Sequence, residues 1–413
     1  MTATYQTPAP SAPPGTVLPD ASAASVEQLL DAVRRIGPTL RASADQAERD
    51  RRLPRSVLET LSQAGLQRMM TPASLGGHEL DPVSCARIIE EVASYDSAAG
   101  WSLQSANVNA WWAKNLSDEG VAEIFSGNPS AMVAAAFHPP QRAVEVPGGF
   151  RLTGRSPLAS IVHDCDRVLI SAFIYDGDKP RMTPNGPAAI AAMLNTSDVE
   201  IVDTWYTLGM RGTDSNDVAF NDVFAPIHLT FPLDPTRVPS GHFKGSLYRY
   251  PASAIIALFS CGVLLATARG AINEFRELAM NKTPFGSMKT LRDRSVVQAT
   301  VAEAEGILRS ARALFYQTYA DAWAVTVSGQ PNSLEQRADL MLAAIHVAKN
   351  AAHVTELMHR LAGTSGIYAR SRLDRHFRDA HTLRHHGFVS ENKLETVGQV
   401  YLGLPPDFPL IVF

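Results

Sequence analysis

The sequence is poor in cysteine, with three in 413 residues, at 85, 165 and 261. They are far apart and odd in number, so neither a disulfide framework nor a zinc pattern fits. Buried thiols in a reducing compartment are expected. Charge is scarce too. Charged residues make up 19% of the chain, against about 25% in ordinary soluble domains. The formal net charge of -4 offers no electrostatic case for nucleic acid. A large, weakly charged chain hides surface in subunit contacts, so an oligomer is expected. No basic start followed by an apolar block opens the chain, which argues against a secretory signal. The strongly apolar run 252–266 is interrupted by Ser253, Ser260 and Gly262. It is short for a membrane span of about 20 residues. A buried bundle helix in a soluble, cytoplasmic protein, with no membrane partner, is the expectation. No G-x-G-x-x-G follows a strand and no βαβ alternation is visible, which argues against a Rossmann fold.

What is present falls into four stretches. Residues 1–23 are rich in Ala, Pro, Ser and Thr and read as a disordered tail. Residues 24–130 read as a helical domain. Pro54 opens one helix that Gly65 stops, and residues 82–94 carry Cys85, Ile88, Ile89 and Val92 at helical spacing. From 131 to 236 the texture changes to short β-branched and apolar runs separated by Pro, Gly, Asp and Asn, which predicts a β-domain. Residues 237–413 are helical again, with long segments over 250–280, 293–328 and 333–363 that suit a four-helix bundle. The fold class is therefore α+β.

Several motifs sharpen this. They are Leu61-Ser-Gln-Ala-Gly-Leu with Leu75-Gly-Gly-His-Glu-Leu, Leu152-Thr-Gly-Arg-Ser-Pro-Leu-Ala-Ser, and Leu208-Gly-Met-Arg-Gly-Thr-Asp-Ser-Asn-Asp-Val-Ala-Phe. Gly363-Thr-Ser-Gly and Phe377-Arg-Asp-Ala follow. In that order and spacing they resemble the acyl-CoA dehydrogenase superfamily over nearly the whole chain after about residue 25. The resemblance implies that fold and a flavin cofactor. Fold alone does not choose among its dehydrogenases, oxidases and monooxygenases.

The region after Arg378 separates them. Dehydrogenases of this family place a Glu base at a fixed interval after Arg-Asp-Ala, and that interval falls here on Gly387, which cannot remove a proton. Glu391 could substitute only with a slipped register. The monooxygenase branch carries a histidine on this helix end, and the matching residue is His386, with His385 and His381 as further candidates. A histidine titrating near neutral pH could deprotonate a substrate or hydrogen-bond a flavin hydroperoxide. Outside this context such histidines would complement a helix C-terminus. Ser160 matches the hydroxyl that contacts the flavin near nitrogen 5, although Ile161 follows it where many monooxygenases have Gly. Some phenol hydroxylases have a histidine about eight residues after the Trp that matches Trp101. Here that position is Asn109, which cannot exchange a proton near neutral pH and points to a less acidic heteroaromatic substrate. Trp101, Asn109 and His386 are the expected pocket, and Trp205 is expected beside the flavin.

The resemblance also implies a phosphate site. Lys282-Thr-Pro-Phe-Gly stands where the dehydrogenases have Arg-x-x-Phe-Gly from a neighbouring subunit, so Lys282 and Phe285 are expected at the cofactor. Lysine binds phosphate as a point charge without bidentate geometry. Gly363, Thr364, Ser365 and Arg370 would add backbone donors and a second cation. FMN and FAD both remain open. The expectation is the oxygenase component of a two-component monooxygenase. A separate NAD(P)H:flavin reductase supplies reduced flavin, O2 is co-substrate, an aromatic or heteroaromatic molecule receives one oxygen atom, and the assembly is a homotetramer. No metal is expected. The alternative is an acyl-CoA dehydrogenase-like flavin oxidoreductase.

Overall fold

The computed structural model describes residues 23–412, apart from 185, 235, 236 and 238. The expected tail thus lies outside the described residues, save Ala23, which opens the first helix. Five helices come first: α1 (Ala23–Asp50), α2 (Arg55–Gln63), α3 (Pro82–Tyr95), α4 (Ser97–Trp111) and α5 (Asp118–Phe125). Their starts are encoded locally. Asp81 accepts a hydrogen bond from the Ser84 N–H while Pro82 occupies the first turn of α3, and Asp96 does the same for α4 through the Ala99 N–H.

The strands are β1 (Val133–Val146), β2 (Gly149–Ala159), β3 (Arg167–Asp176), the short β4 (Lys179–Pro180), β5 (Met182–Thr183) and β6 (Gly186–Pro187), then β7 (Ala189–Asn195), β8 (Glu200–Val202), β9 (Asn216–Pro226) and β10 (Thr230–Pro232). The main sheet runs β10-β7-β3-β1-β2-β9-β8, with β4 paired to β3. Its pairs are antiparallel except β1 with β3.

The last five helices are α6 (Ala252–Asn281), α7 (Ser295–Val327), α8 (Leu334–Ala362), α9 (Arg372–Leu383) and α10 (Leu394–Tyr401). Ser333 and Gln336 close a reciprocal capping box at the start of α8. The most apolar 18-residue window of α6 is 83% buried within the chain. It packs against α3, α4, α8 and α9, so its hydrophobic surface is satisfied inside the protein. Cys85, Cys165 and Cys261 are buried free thiols.

One docking contact places the site. α9 lies on the loop that precedes β9. The Met210 N–H donates to Asp379 Oδ1 at 2.6 Å, and Arg378 donates to the Leu208 carbonyl at 2.9 Å. Arg378 and Arg375 both reach Glu48 of α1, at 2.7 and 2.5 Å. Gly209 allows the approach: a Cβ there would lie 2.3 Å from the backbone of Arg378. Backbone cannot swing aside as a side chain can. Gly209→Ala should therefore cost about 1–3 kcal/mol, read as a lower urea midpoint. An unchanged midpoint would show that the two segments are not in contact.

Burial pushes the Asp379 pKa up to about 7, against the pull of the Met210 N–H. The unfolded value is about 4, so between about pH 4 and 7 the folded state holds the extra proton. Stability contributed by this group falls as pH rises through that window and is level above it. Asp379→Asn keeps an oxygen for Met210 and cannot ionise. The unfolding free energy of the variant, from urea titration, should gain on wild type as pH rises through that window, by about 1.4 kcal/mol per unit. Parallel pH profiles for the two proteins would refute this.

Candidate active site

β2 ends at Ala159, and Ser160 follows at the strand end, before Ile161 turns the chain with φ 56°. The Ile161 N–H donates to the Thr213 carbonyl at 2.9 Å. That bond sets Ser160 beside the start of β9. On the other side stands Trp101, in the first turns of α4, whose Nε1–H donates to Ser160 Oγ at 3.0 Å. Ser160 Oγ lies 2.8 Å from Ser215 Oγ, and Ser215 Oγ lies 2.7 Å from Thr213 Oγ1. Thr213 Oγ1 in turn reaches the Met210 carbonyl at 2.9 Å. All these side chains are buried.

Each hydroxyl has one proton, which constrains the chain. If Thr213 donates to Met210, then Ser215 donates to Thr213 and Ser160 donates to Ser215. The Ser160 proton is then committed away from the site. In the opposite direction Thr213 donates to Ser215, Ser215 donates to Ser160, and the Ser160 proton is free. Reversal does not strand the Met210 carbonyl. It also accepts from Trp205 Nε1 at 3.1 Å and from the Thr213 N–H at 3.2 Å. The chain can therefore present Ser160 as donor or acceptor at small cost.

His386 lies just past the end of α9, with its N–H donated to the Leu383 carbonyl. Its ring meets Trp101 edge-on, centroids 5.2 Å apart, and stacks on Phe388 at 5.9 Å. Nδ1 is buried without a hydrogen-bond partner. Burial pulls the pKa down to about 4, so the imidazole is neutral at pH 7. The expectation of a near-neutral titration is corrected here: it took no account of the desolvation supplied by Trp101 and Phe388. His385 is exposed, so His386 and not His385 stands against Trp101. His381 belongs to a separate ring cluster with Phe377, at 4.3 Å. A Cβ on Gly387 would meet open space. Glu391 is tied to Arg384 and, at 3.5 Å, to Lys349.

Trp205 is half-buried, its N–H and that of Thr204 held by Asn216 Oδ1 at 3.0 Å. Asn109 lies two turns beyond Trp101 on α4 and is half-buried. A second group forms at the end of α6, where Lys282 Nζ donates to the Ala362 carbonyl and to Ser365 Oγ at 2.7 Å. Gly363 between them has a left-handed φ of 54°. Thr364 shares that turn. Arg370 is exposed and lies over the Tyr368 ring at 4.3 Å, apart from Lys282. Phe285 and Met288 are fully exposed on the loop after α6.

Sequence reasoning passed over Thr213, Ser215 and Asp379. The first two lie in the loop just before β9, where the left-handed Asp214 between them breaks the strand pattern that would have paired them. Their partner Ser160 comes from another strand, which no local pattern shows. The residues present fit a flavin on two observations of this structure. A hydroxyl relay ends at Ser160 beside an orphaned, buried imidazole nitrogen, and Lys282 stands over the left-handed turn at Gly363.

Comparisons with known proteins agree. Residues 24–120 match the acyl-CoA dehydrogenase N-terminal domain and residues 258–391 an acyl-CoA dehydrogenase C-terminal domain. The chain is 31% identical to an indole-3-acetate monooxygenase of Pseudomonas putida, over 94% of this chain and 95% of that one. It is 24% identical to the oxygenase component of an FADH(2)-dependent resorcinol hydroxylase of Rhizobium sp., over 92% and 95%. Its fold matches XiaF from Streptomyces sp. in complex with FADH2 and glycerol, with a TM-score of 0.88, 22% identity and coverage of 94% and 98%. This chain belongs to the acyl-CoA dehydrogenase family, in its flavin-dependent monooxygenase branch.

Proposed function

We infer that this protein is the oxygenase component of a two-component flavin monooxygenase that places one oxygen atom from O2 on an aromatic or heteroaromatic substrate. The observation that carries the reading is the hydroxyl relay from Thr213 through Ser215 to Ser160, with Trp101 bonded to Ser160 and packed against a neutral His386. When bound, reduced flavin (FMN or FAD, delivered by a separate NAD(P)H:flavin reductase) supplies the electrons that activate O2. The Trp101 N–H fixes the Ser160 oxygen, and with the relay reversed Ser160 would have a free proton to donate to the cofactor. Neutral His386, with Nδ1 free of any hydrogen-bond partner, would donate or accept one hydrogen bond at that atom and so orient the substrate without becoming charged. Lys282, with the turn at Gly363, Thr364 and Ser365, would hold phosphate. The dehydrogenase alternative finds no free base at either position considered for it, because Gly387 carries no side chain and Glu391 is engaged by Arg384 and Lys349.

A homotetramer is part of the proposal. Phe285 and Met288 stand free of the chain beside Lys282, as residues do that cover a neighbouring subunit's site. Buried free thiols favour a cytoplasmic setting.

The test supplies chemically reduced flavin and O2 with indole-3-acetate and a panel of related heteroaromatics, and measures oxygenated product against hydrogen peroxide. Wild type should couple the two. Ser160→Ala and His386→Ala should each lose about tenfold in coupling, the worth of about one charge-free hydrogen bond. Ser215→Ala leaves the Ser160 proton without a competing acceptor, so its coupling should stay within about twofold. Peroxide output that no substrate changes, with no oxygenated product, would reject the monooxygenase.

A further inference from the structure

Away from the relay, three cations without an ion-pair partner among the described residues face one cavity, Lys114 and Arg337 half-buried and Arg237 exposed. A cavity of about 170 Å³ lies between the end of α4, β10, the start of α6 and the start of α8. Lys114, Arg237 and Arg337 line it, together with the exposed Arg249 and one carboxylate, Asp234. Among the described residues, carbonyl oxygens or a ring hold each of the three. Lys114 Nζ donates to the Tyr248 carbonyl at 2.8 Å and lies 3.7 Å over the Trp111 ring. Arg237 Nε donates to the Asn115 carbonyl at 2.7 Å. Arg337 donates to the carbonyls of Asn332, Ile411 and Val412. None of the three forms an ion pair among the described residues. Burial pulls the Lys114 pKa down to about 7 and lowers that of Arg337, the mark of charge desolvated without compensation. Charges are buried at this cost where a partner compensates them.

The other wall is aromatic. Trp112 and Phe231 line the cavity with ring planes within 10° and centroids 6.3 Å apart. A cationic side facing flat rings suits an aromatic acid better than inorganic phosphate, which has no use for the rings. Arg337 and Pro251 line both this cavity and a neighbouring narrow cavity that Phe388 borders, and Phe388 stacks on His386.

We propose that this cavity is an anion subsite for the carboxylate of a small aromatic acid, held by Lys114, Arg237 and Arg337. That the acid is the oxygenated substrate rests on the monooxygenase reading; the anion subsite does not. A carboxylate could also come from a free small anion, and the experiment separates the two.

Binding is measured first, by calorimetry on the full chain without turnover, with indole-3-acetate, its neutral amide and acetate alone. Wild type should bind the acid at least about tenfold more tightly than the amide, the worth of one charge-assisted hydrogen bond. Lys114→Met and Arg237→Gln should each remove most of that preference. Unliganded Lys114→Met should melt no lower than wild type, since it removes an unpaired buried charge; Arg237→Gln serves should it fail to fold. Turnover follows. A KM for the acid that rises in Lys114→Met more than kcat falls identifies the substrate's own carboxylate. Equal wild-type affinity for acid and amide overturns the proposal. So does acetate binding that Lys114→Met abolishes while acid and amide share one KM, because the anion is then not the substrate's. A preserved binding preference with no oxygenated product would instead refute the monooxygenase reading and leave the subsite standing.

Discussion

The close approach of α9 to the loop before β9 is the constraint from which the rest follows. A helix of the C-terminal bundle meets a loop of the sheet through one backbone N–H, one carboxylate and a glycine too small to keep them apart. Glu48 of α1 joins through two arginines, so three parts of the chain converge on one helix. With Met210 fixed there, its carbonyl is aimed at Trp205 and Thr213, and Thr213 begins the relay that ends at Ser160. The end of α9 carries His386 to the same place. Both chemical groups are therefore registered against one element, and their separation does not depend on flexible loops.

The relay and the histidine do complementary work because one is adjustable and the other is not. Hydroxyl protons rotate, and the Met210 carbonyl tolerates either direction because it has three donors. His386 is clamped between Trp101 and Phe388, and burial keeps it uncharged. A charged imidazole would bring counter-ions or water into a site that must stay dry.

Much of the fold was legible because its signals are local. Pro54 and Gly65 bracket α2 as the sequence indicated, and the apolar spacing over 82–94 falls within α3. The long apolar 252–266 run read correctly as bundle interior, since its small polar interruptions fit helix packing. Ser160 and His386 were reached through motif resemblance. The parallel pairing of β1 with β3 was not legible, because register is decided between segments far apart in sequence. The charge state of His386 was missed for the same reason: desolvation is a property of neighbours. Lys114 was missed because a lysine following two tryptophans reads as a solvated surface residue.

The burial of α6 has a consequence for synthesis. Two of its packing partners, α3 and α4, precede it in the chain, and two, α8 and α9, follow it. During translation, α6 leaves the ribosome with half of its surroundings already made and the other half some fifty or more residues away. For that interval the most apolar segment of the protein is covered on one side only. The speed with which α8 and α9 arrive sets how long that segment stays incompletely covered.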